Sequence, residues 1–188
     1  KGQIPLTQAP AQSRNIPAVR VSEAVGRDLV KQVATDFGLA QNFADGPALA
    51  LGVSESTLID MTGAFAGILN GGSSVTPYGL NALKLKGMDE PLFGAGGGIG
   101  ERVISEKAAH ALTYMMTEVM NSGTGGRARL KDRESAGKTG TTTSARDAWF
   151  VGFTADYVVG VWMRYDDNSP LTGVTGGGLP AEIWHEVV

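Results

Sequence analysis

The sequence predicts an α+β fold with helices first and an antiparallel sheet toward the end. Two observations carry this. Up to about residue 120 apolar side chains recur every three or four positions, the spacing of one helix face. After about residue 136 they alternate and become β-branched or aromatic, the habit of strands. Glycines clustered at 71–72, 94–100, 123–126 and 173–178 separate the elements. At 188 residues with 42% hydrophobic side chains, the chain suffices for one domain with a substantial core, or a large piece of one.

Taken in order, Val21, Val25, Leu29, Val30, Val33 and Phe37 predict one amphipathic helix over 21–37, with Ser22 as N-cap and Gly38 as stop. Leu58, Ile59, Met61, Phe65, Ile68 and Leu69 predict a second over 57–69, buried on several sides and ended by Asn70-Gly71-Gly72. A third should run from about Glu106 to Met120, capped by Ser105 and released at Gly123, with Ala109, Leu112, Met116 and Val119 inward. The glycine-rich run 94–100 reads as a hairpin or loop tip, since Ile99 replaces the third glycine of a dinucleotide fingerprint. Residues 138–142, 149–153 and 157–165 predict three antiparallel strands, and Pro180 opens a short helix over about 181–187. There is no internal repeat.

Composition excludes several functions. A net charge of −3 offers no footprint for nucleic acid. The absence of cysteine rules out disulfides and thiolate metal sites. His110 and His185 lack ligand-spaced partners, so neither metal nor cofactor is expected. Trp149, Trp162 and Trp184 suit packing better than a binding box. Arg127, Arg129, Lys131 and Arg133 read as a solvated loop before a surface for anionic glycan or membrane. No apolar run is long enough to cross a bilayer, and the first residues, from Lys1, lack the pattern of a secretory signal, so any anchor would lie upstream.

The chemistry concentrates at Lys138-Thr139-Gly140, followed by Thr141-Thr142. A cation, a hydroxyl and a glycine on a strand can grip a carboxylate while an extended peptide lies close to the backbone. Asp132 stands where a phosphate-binding loop needs its first glycine, which removes the nucleotide reading of Gly137-Lys138-Thr139. Lys-Thr-Gly with a Ser-x-Asn element and a Ser-x-x-Lys pair marks serine acyl-transfer enzymes acting on penicillins and cell-wall peptides. Ser13-Arg14-Asn15 supplies the Ser-x-Asn here, although alone it could be a turn or cap.

Ser-Arg-Asn-Ile-Pro-Ala-Val at 13–19, Leu-Gly-Val-Ser-Glu at 51–55, Asn-Ser-Gly-Thr-Gly at 121–125, Ala-Gly-Lys-Thr-Gly-Thr-Thr at 136–142 and Asp-Ala-Trp-Phe-Val-Gly-Phe-Thr at 147–154 resemble class A penicillin-binding proteins. The resemblance extends over nearly the whole chain. It implies the penicillin-binding transpeptidase fold, related to serine β-lactamases, and part of a D,D-transpeptidase domain of a bifunctional peptidoglycan synthase. Such a domain cross-links stem peptides ending in D-Ala-D-Ala, is acylated by β-lactams, and works on the extracytoplasmic face of the bacterial inner membrane, in the periplasm. By resemblance, Lys138 and Thr139 hold the terminal carboxylate and Gly140 keeps the strand edge bare for an added peptide strand. Thr141 offers an oxyanion-hole N–H, with Thr142 beside it. Ser13 relays a proton near the nucleophile, and Asn15 orients the scissile peptide and the catalytic lysine.

The family's acylated serine and the lysine three residues on precede the Ser-x-Asn element, yet none of the twelve residues before Ser13 is serine. Ser135-Ala136-Gly137-Lys138 has the spacing but uses the carboxylate-binding lysine and starts on a strand. The expectation is therefore a partial domain over 1–188, lacking the N-terminal strands and the nucleophile segment, and inactive alone. The absent part of the same protein is then a partner, its strands pairing beside 157–165, where an open apolar edge would otherwise be an aggregation template. Pro10 interrupts a stretch where relatives continue a helix with an apolar residue. Two other readings compete: a noncovalent peptide-binding or interaction module, separable by whether stem peptide binds and depends on Lys138, and a serine β-lactamase relative, which would need a deacylating glutamate that the sequence does not single out.

Overall fold

The computed structural model describes residues 2–39, 42–94 and 96–188. The chain is α+β, as expected. In order it forms α1 (Gln8–Ala11), α2 (Asn15–Val25), α3 (Arg27–Asp36), α4 (Leu58–Leu69), β1 (Ser73–Thr76), β2 (Ala82–Leu83), β3 (Phe93–Gly94), β4 (Gly98–Arg102), α5 (Glu106–Asn121), β5 (Ala136–Thr141), β6 (Ala148–Phe153), β7 (Val158–Met163) and α6 (Leu179–Val187).

The single helix expected over 21–37 is two. Gly26, at φ +100°, turns the chain between α2 and α3, and Ser22 lies buried inside α2 instead of capping it. Val21, Val25 and Leu29 of the apolar stripe are exposed. The next two helices follow their local signals. Thr57 Oγ1 accepts the Asp60 N–H at 3.1 Å to open α4, and Ser105 Oγ accepts the Ala108 N–H at 3.2 Å to open α5. Burial of α4 reaches several sides, as expected: Gly63, Ala64 and Gly67 are buried, Phe65, Ile68 and Leu69 pack toward Met116 and Phe153, and Ile59 stays exposed. One of these sides is a glycine face that lets neighbours come close, since a Cβ on Gly67 would lie 2.8 Å from the Phe37 ring and 2.8 Å from Ser73 O.

Short strands that periodicity did not announce follow this helix in the chain. β1 pairs antiparallel with β4 across a register shift between Ser73 and Val75, and β2 pairs with β3. The run 94–100 thus holds the end of β3 and the start of β4. Ala95, within it, and Lys1 lie outside the described residues.

The main sheet has order β5-β6-β7, all antiparallel, with Lys138 opposite Val151 and Trp149 opposite Trp162. One face carries Ala136 and Phe153 against Met116 of α5, flanked by Phe65, Ile68 and Leu69 of α4. The other carries Phe150 against Ala181 and Trp184 of α6, with Met120 and Ala128. β6 is therefore buried on both faces, which explains why Phe150, Val151 and Phe153 are all apolar. Trp184 is fully buried, meets Phe150 edge-on at 5.6 Å and donates its Nε1–H to Gly152 O at 3.2 Å. Among the described residues, β5 and β7 are the outer strands of this sheet.

Candidate functional site

The site forms where the turn after α1 meets β5. Pro10 fits because it stands in the first turn of α1, where an N–H has no acceptor within the helix. The helix closes with Ser13 N–H on Pro10 O at 3.0 Å and Arg14 N–H on Ala9 O at 2.9 Å. Ser13 itself sits at φ +51°, a left-handed conformation uncommon for a residue with a side chain. Asn15 follows as the exposed first residue of α2.

Lys138 reaches from β5 toward this turn. Its Nζ donates to Ser13 Oγ at 2.9 Å and to Thr139 O at 2.9 Å, joining the two motifs across most of the chain. The side chain is half-buried, and loss of water lowers its pKa to about 8. The amine remains mostly charged at neutral pH.

Strand geometry separates the remaining roles. Thr142 N–H donates to Asp147 O at 3.0 Å, in register with the β5–β6 pairing. The alternation of an antiparallel ladder then turns the N–H and C=O groups of Lys138 and Gly140 toward β6, and those of Thr139 and Thr141 toward the outer edge. Gly140 contributes its missing side chain, since a Cβ there would lie 3.3 Å from Trp149 Cβ. Thr139 and Thr141 project their side chains to the face opposite Lys138. There Thr139 Oγ1 lies 2.7 Å from Thr124 Oγ1, and Thr141 Oγ1 accepts the Gly176 N–H at 3.0 Å.

The turn beyond β5 is clamped. Asp147 N–H donates to Thr142 Oγ1 at 2.8 Å, and Asp147 Oδ1 accepts Trp162 Nε1–H at 3.0 Å. Trp149 stacks on Trp162 at 5.2 Å, with the Arg164 guanidinium 5.5 Å from the Trp162 ring. The tryptophans pack on the sheet and one another, though Trp162 keeps 40% of its surface exposed.

Other candidates lie elsewhere. Ser135 is buried just before β5, three residues from Lys138 and so on the opposite face, while the amine turns to Ser13. A cavity of about 520 Å³ lined by Thr113, Glu134, Ser135, Thr154 and Asp156 opens at the start of β5, away from Thr139 and Thr141. His110 is exposed on α5, and among the described residues no three His, Asp or Glu side chains cluster to hold a metal. In the basic stretch Arg127 pairs with Glu182 and Arg133 with Asp132, while Arg129 and Lys131 are exposed.

Sequence reasoning assigned no role to Thr124, Asp147 or Gly176. Thr124 and Asp147 lie in the strings 121–125 and 147–154 that carry the resemblance, whereas Gly176 falls in a glycine cluster that reads as loop punctuation.

Residues 1–188 match the family described as penicillin binding protein transpeptidase domain. Penicillin-binding protein 1A of Aquifex aeolicus is 34% identical over 97% of this chain and 25% of its own length. That of Pseudomonas aeruginosa is 30% identical over 97% of this chain and 28% of its own. The chain thus spans about a quarter of the length of these curated relatives. The crystal structure of penicillin-binding protein 1A from Haemophilus influenzae superposes with a TM-score of 0.85 at 26% identity, covering 99% of this chain and 34% of that one.

Proposed function

From the fact that this chain belongs to the penicillin-binding protein transpeptidase family, we propose that it carries the substrate-gripping side of a peptidoglycan D,D-transpeptidase site. The observation that carries this is the 2.9 Å bond between Lys138 Nζ and Ser13 Oγ, which joins the Lys-Thr-Gly strand to the Ser-x-Asn turn beside an outer strand edge.

In this reading a stem peptide ending in D-Ala-D-Ala adds along β5. Thr139 and Thr141 present edge-facing backbone groups and hydroxyls to it, and the Lys138 ammonium supplies positive charge for its terminal carboxylate. The acylated serine and its lysine come from sequence outside these 188 residues. The serine oxygen bonds to the penultimate D-Ala carbonyl carbon, the C–N bond breaks, and the terminal D-Ala leaves as an amine. The Thr141 N–H stabilises the oxyanion formed on the way. The Ser13 hydroxyl, polarised by Lys138, passes a proton to the departing nitrogen, and Asn15 orients the peptide. An amine from a second stem peptide then takes the acyl group. A β-lactam enters as a mimic and stays bonded to the serine. The chemistry belongs to the extracytoplasmic face of the membrane, where peptidoglycan is built.

The test is labelling of the full-length protein with fluorescent penicillin. Ser13→Ala and Lys138→Ala should each slow acylation by about a hundredfold or more, and the 188-residue chain alone should take no label. Unchanged labelling of the Lys138→Ala protein, or label on Ser13 or Ser135, would overturn the reading.

A further inference from the structure

We propose that Thr124 and the backbone N–H of Gly176 are positioning groups that set the proton direction of the Thr139 and Thr141 hydroxyls, making both donors to an anion at the outer edge of β5. The proposal deepens the function inferred above and rests on it.

A hydroxyl has one proton, and if a neighbour accepts that proton, none is left for a ligand. Thr141 Oγ1 receives the Gly176 N–H at 3.0 Å. A backbone N–H only donates, so the Thr141 proton stays free for an incoming carboxylate. Thr139 Oγ1 meets a second hydroxyl, Thr124 Oγ1, at 2.7 Å. When an anion takes the Thr139 proton, the Thr124 hydroxyl turns to donate into the Thr139 oxygen. Two hydroxyls in series toward a negative charge then polarise one another and strengthen the terminal bond.

The backbone around both groups is built to hold them there. Thr124 N–H donates to Ala11 O at 3.0 Å, tying the segment to the turn that presents Ser13. That approach requires Gly123, whose Cβ would stand 2.1 Å from Ala11 O. On Gly176 a Cβ would stand 2.3 Å from Trp149 O and 2.4 Å from Gly140 O, and on Gly177 2.3 Å from Thr124 O. These glycines let the loop before α6 lie directly on the β5–β6 backbone and against Thr124, so chain segments remote in sequence aim two donors at one edge.

Thr124 is exposed, so Thr124→Val should fold while keeping the shape and losing the hydroxyl. The experiment compares acylation of the full-length protein by benzylpenicillin and by its methyl ester, which lacks the anion. Thr124→Val should weaken initial binding of the acid about five- to tenfold, the usual worth of one neutral hydrogen bond. The limiting acylation rate should be nearly unchanged, the ester should lose less than twofold, and Thr124→Ser should restore the acid. Equal losses for acid and ester, or failure of serine to restore binding, would overturn the proposal. A wild-type protein that is not acylated at all would remove the functional reading beneath it, and that result needs no variant.

Discussion

In Lys138, burial meets the proposed role in one side chain. With its pKa drawn down to about 8 by lost hydration, the amine gives up its charge near the upper end of ordinary pH. Capture of carboxylate-bearing β-lactams by the full-length protein should therefore fall as pH rises through about 8. Lys138→Arg should carry that fall beyond the measured range, because a guanidinium stays charged. Stability runs the other way. Between about 8 and 10.5 the unfolded chain holds more protons at this position than the folded one, so unfolding free energy should rise with pH across that window. Urea titrations of Lys138→Met should show the rise removed. Ser13 carries a different tension. Its left-handed backbone costs on the order of 1 kcal/mol, so Ser13→Gly should trade relieved strain against lost chain entropy and a lost bond, leaving stability within about 1 kcal/mol. The same variant should lose acylation. A parallel loss of melting temperature would instead mark the Lys138–Ser13 bond as scaffolding.

The helices show which local signals survive packing. Thr57 and Ser105 cap as their side chains dictate, because a cap needs only the next turn of chain. The apolar stripe over 21–37 predicts one helix because periodicity counts hydrophobic residues and overlooks a single glycine. Gly26 breaks it without crowding, since nothing lies within 4 Å of where a Cβ would be. Gly26→Ala should therefore cost only its backbone strain, about 1–2 kcal/mol. Gly67→Ala, in the middle of a well-formed helix, should cost a comparable or larger 1–3 kcal/mol, because its methyl would press into Phe37 and Ser73 O. Helix propensity alone predicts the opposite sign for Gly67, so chemical denaturation of the two variants separates packing from propensity.

The molecule as a whole is a sheet between two helical layers, with Trp184 joining α6 to that sheet through its ring and its Nε1–H. Trp184→Ala should destabilise the fold by about 3–5 kcal/mol, read as a lowered urea midpoint, whereas removing the exposed Arg127–Glu182 pair should change it by less than about 1 kcal/mol. The three strands of the main sheet, the helix over 106–120 with its Ser105 cap and the Lys-Thr-Gly segment were legible in the chain, since each is written in residues close together. The break at Gly26, the pairs β1–β4 and β2–β3, and the burial of β6 on both faces were not, because each depends on what another layer presents. The site divides along the same line. Residue types named Lys138, Thr139, Thr141 and Ser13. Their directions, with Lys138 toward one face and the two threonines toward the other, come from strand register. Thr124 and Gly176 enter through bonds spanning 15 and 35 residues, and Ser13 meets Lys138 across 125. Periodicity and capping act over a single turn of chain, while the stacking of layers chooses which distant atoms come within 3 Å of one another.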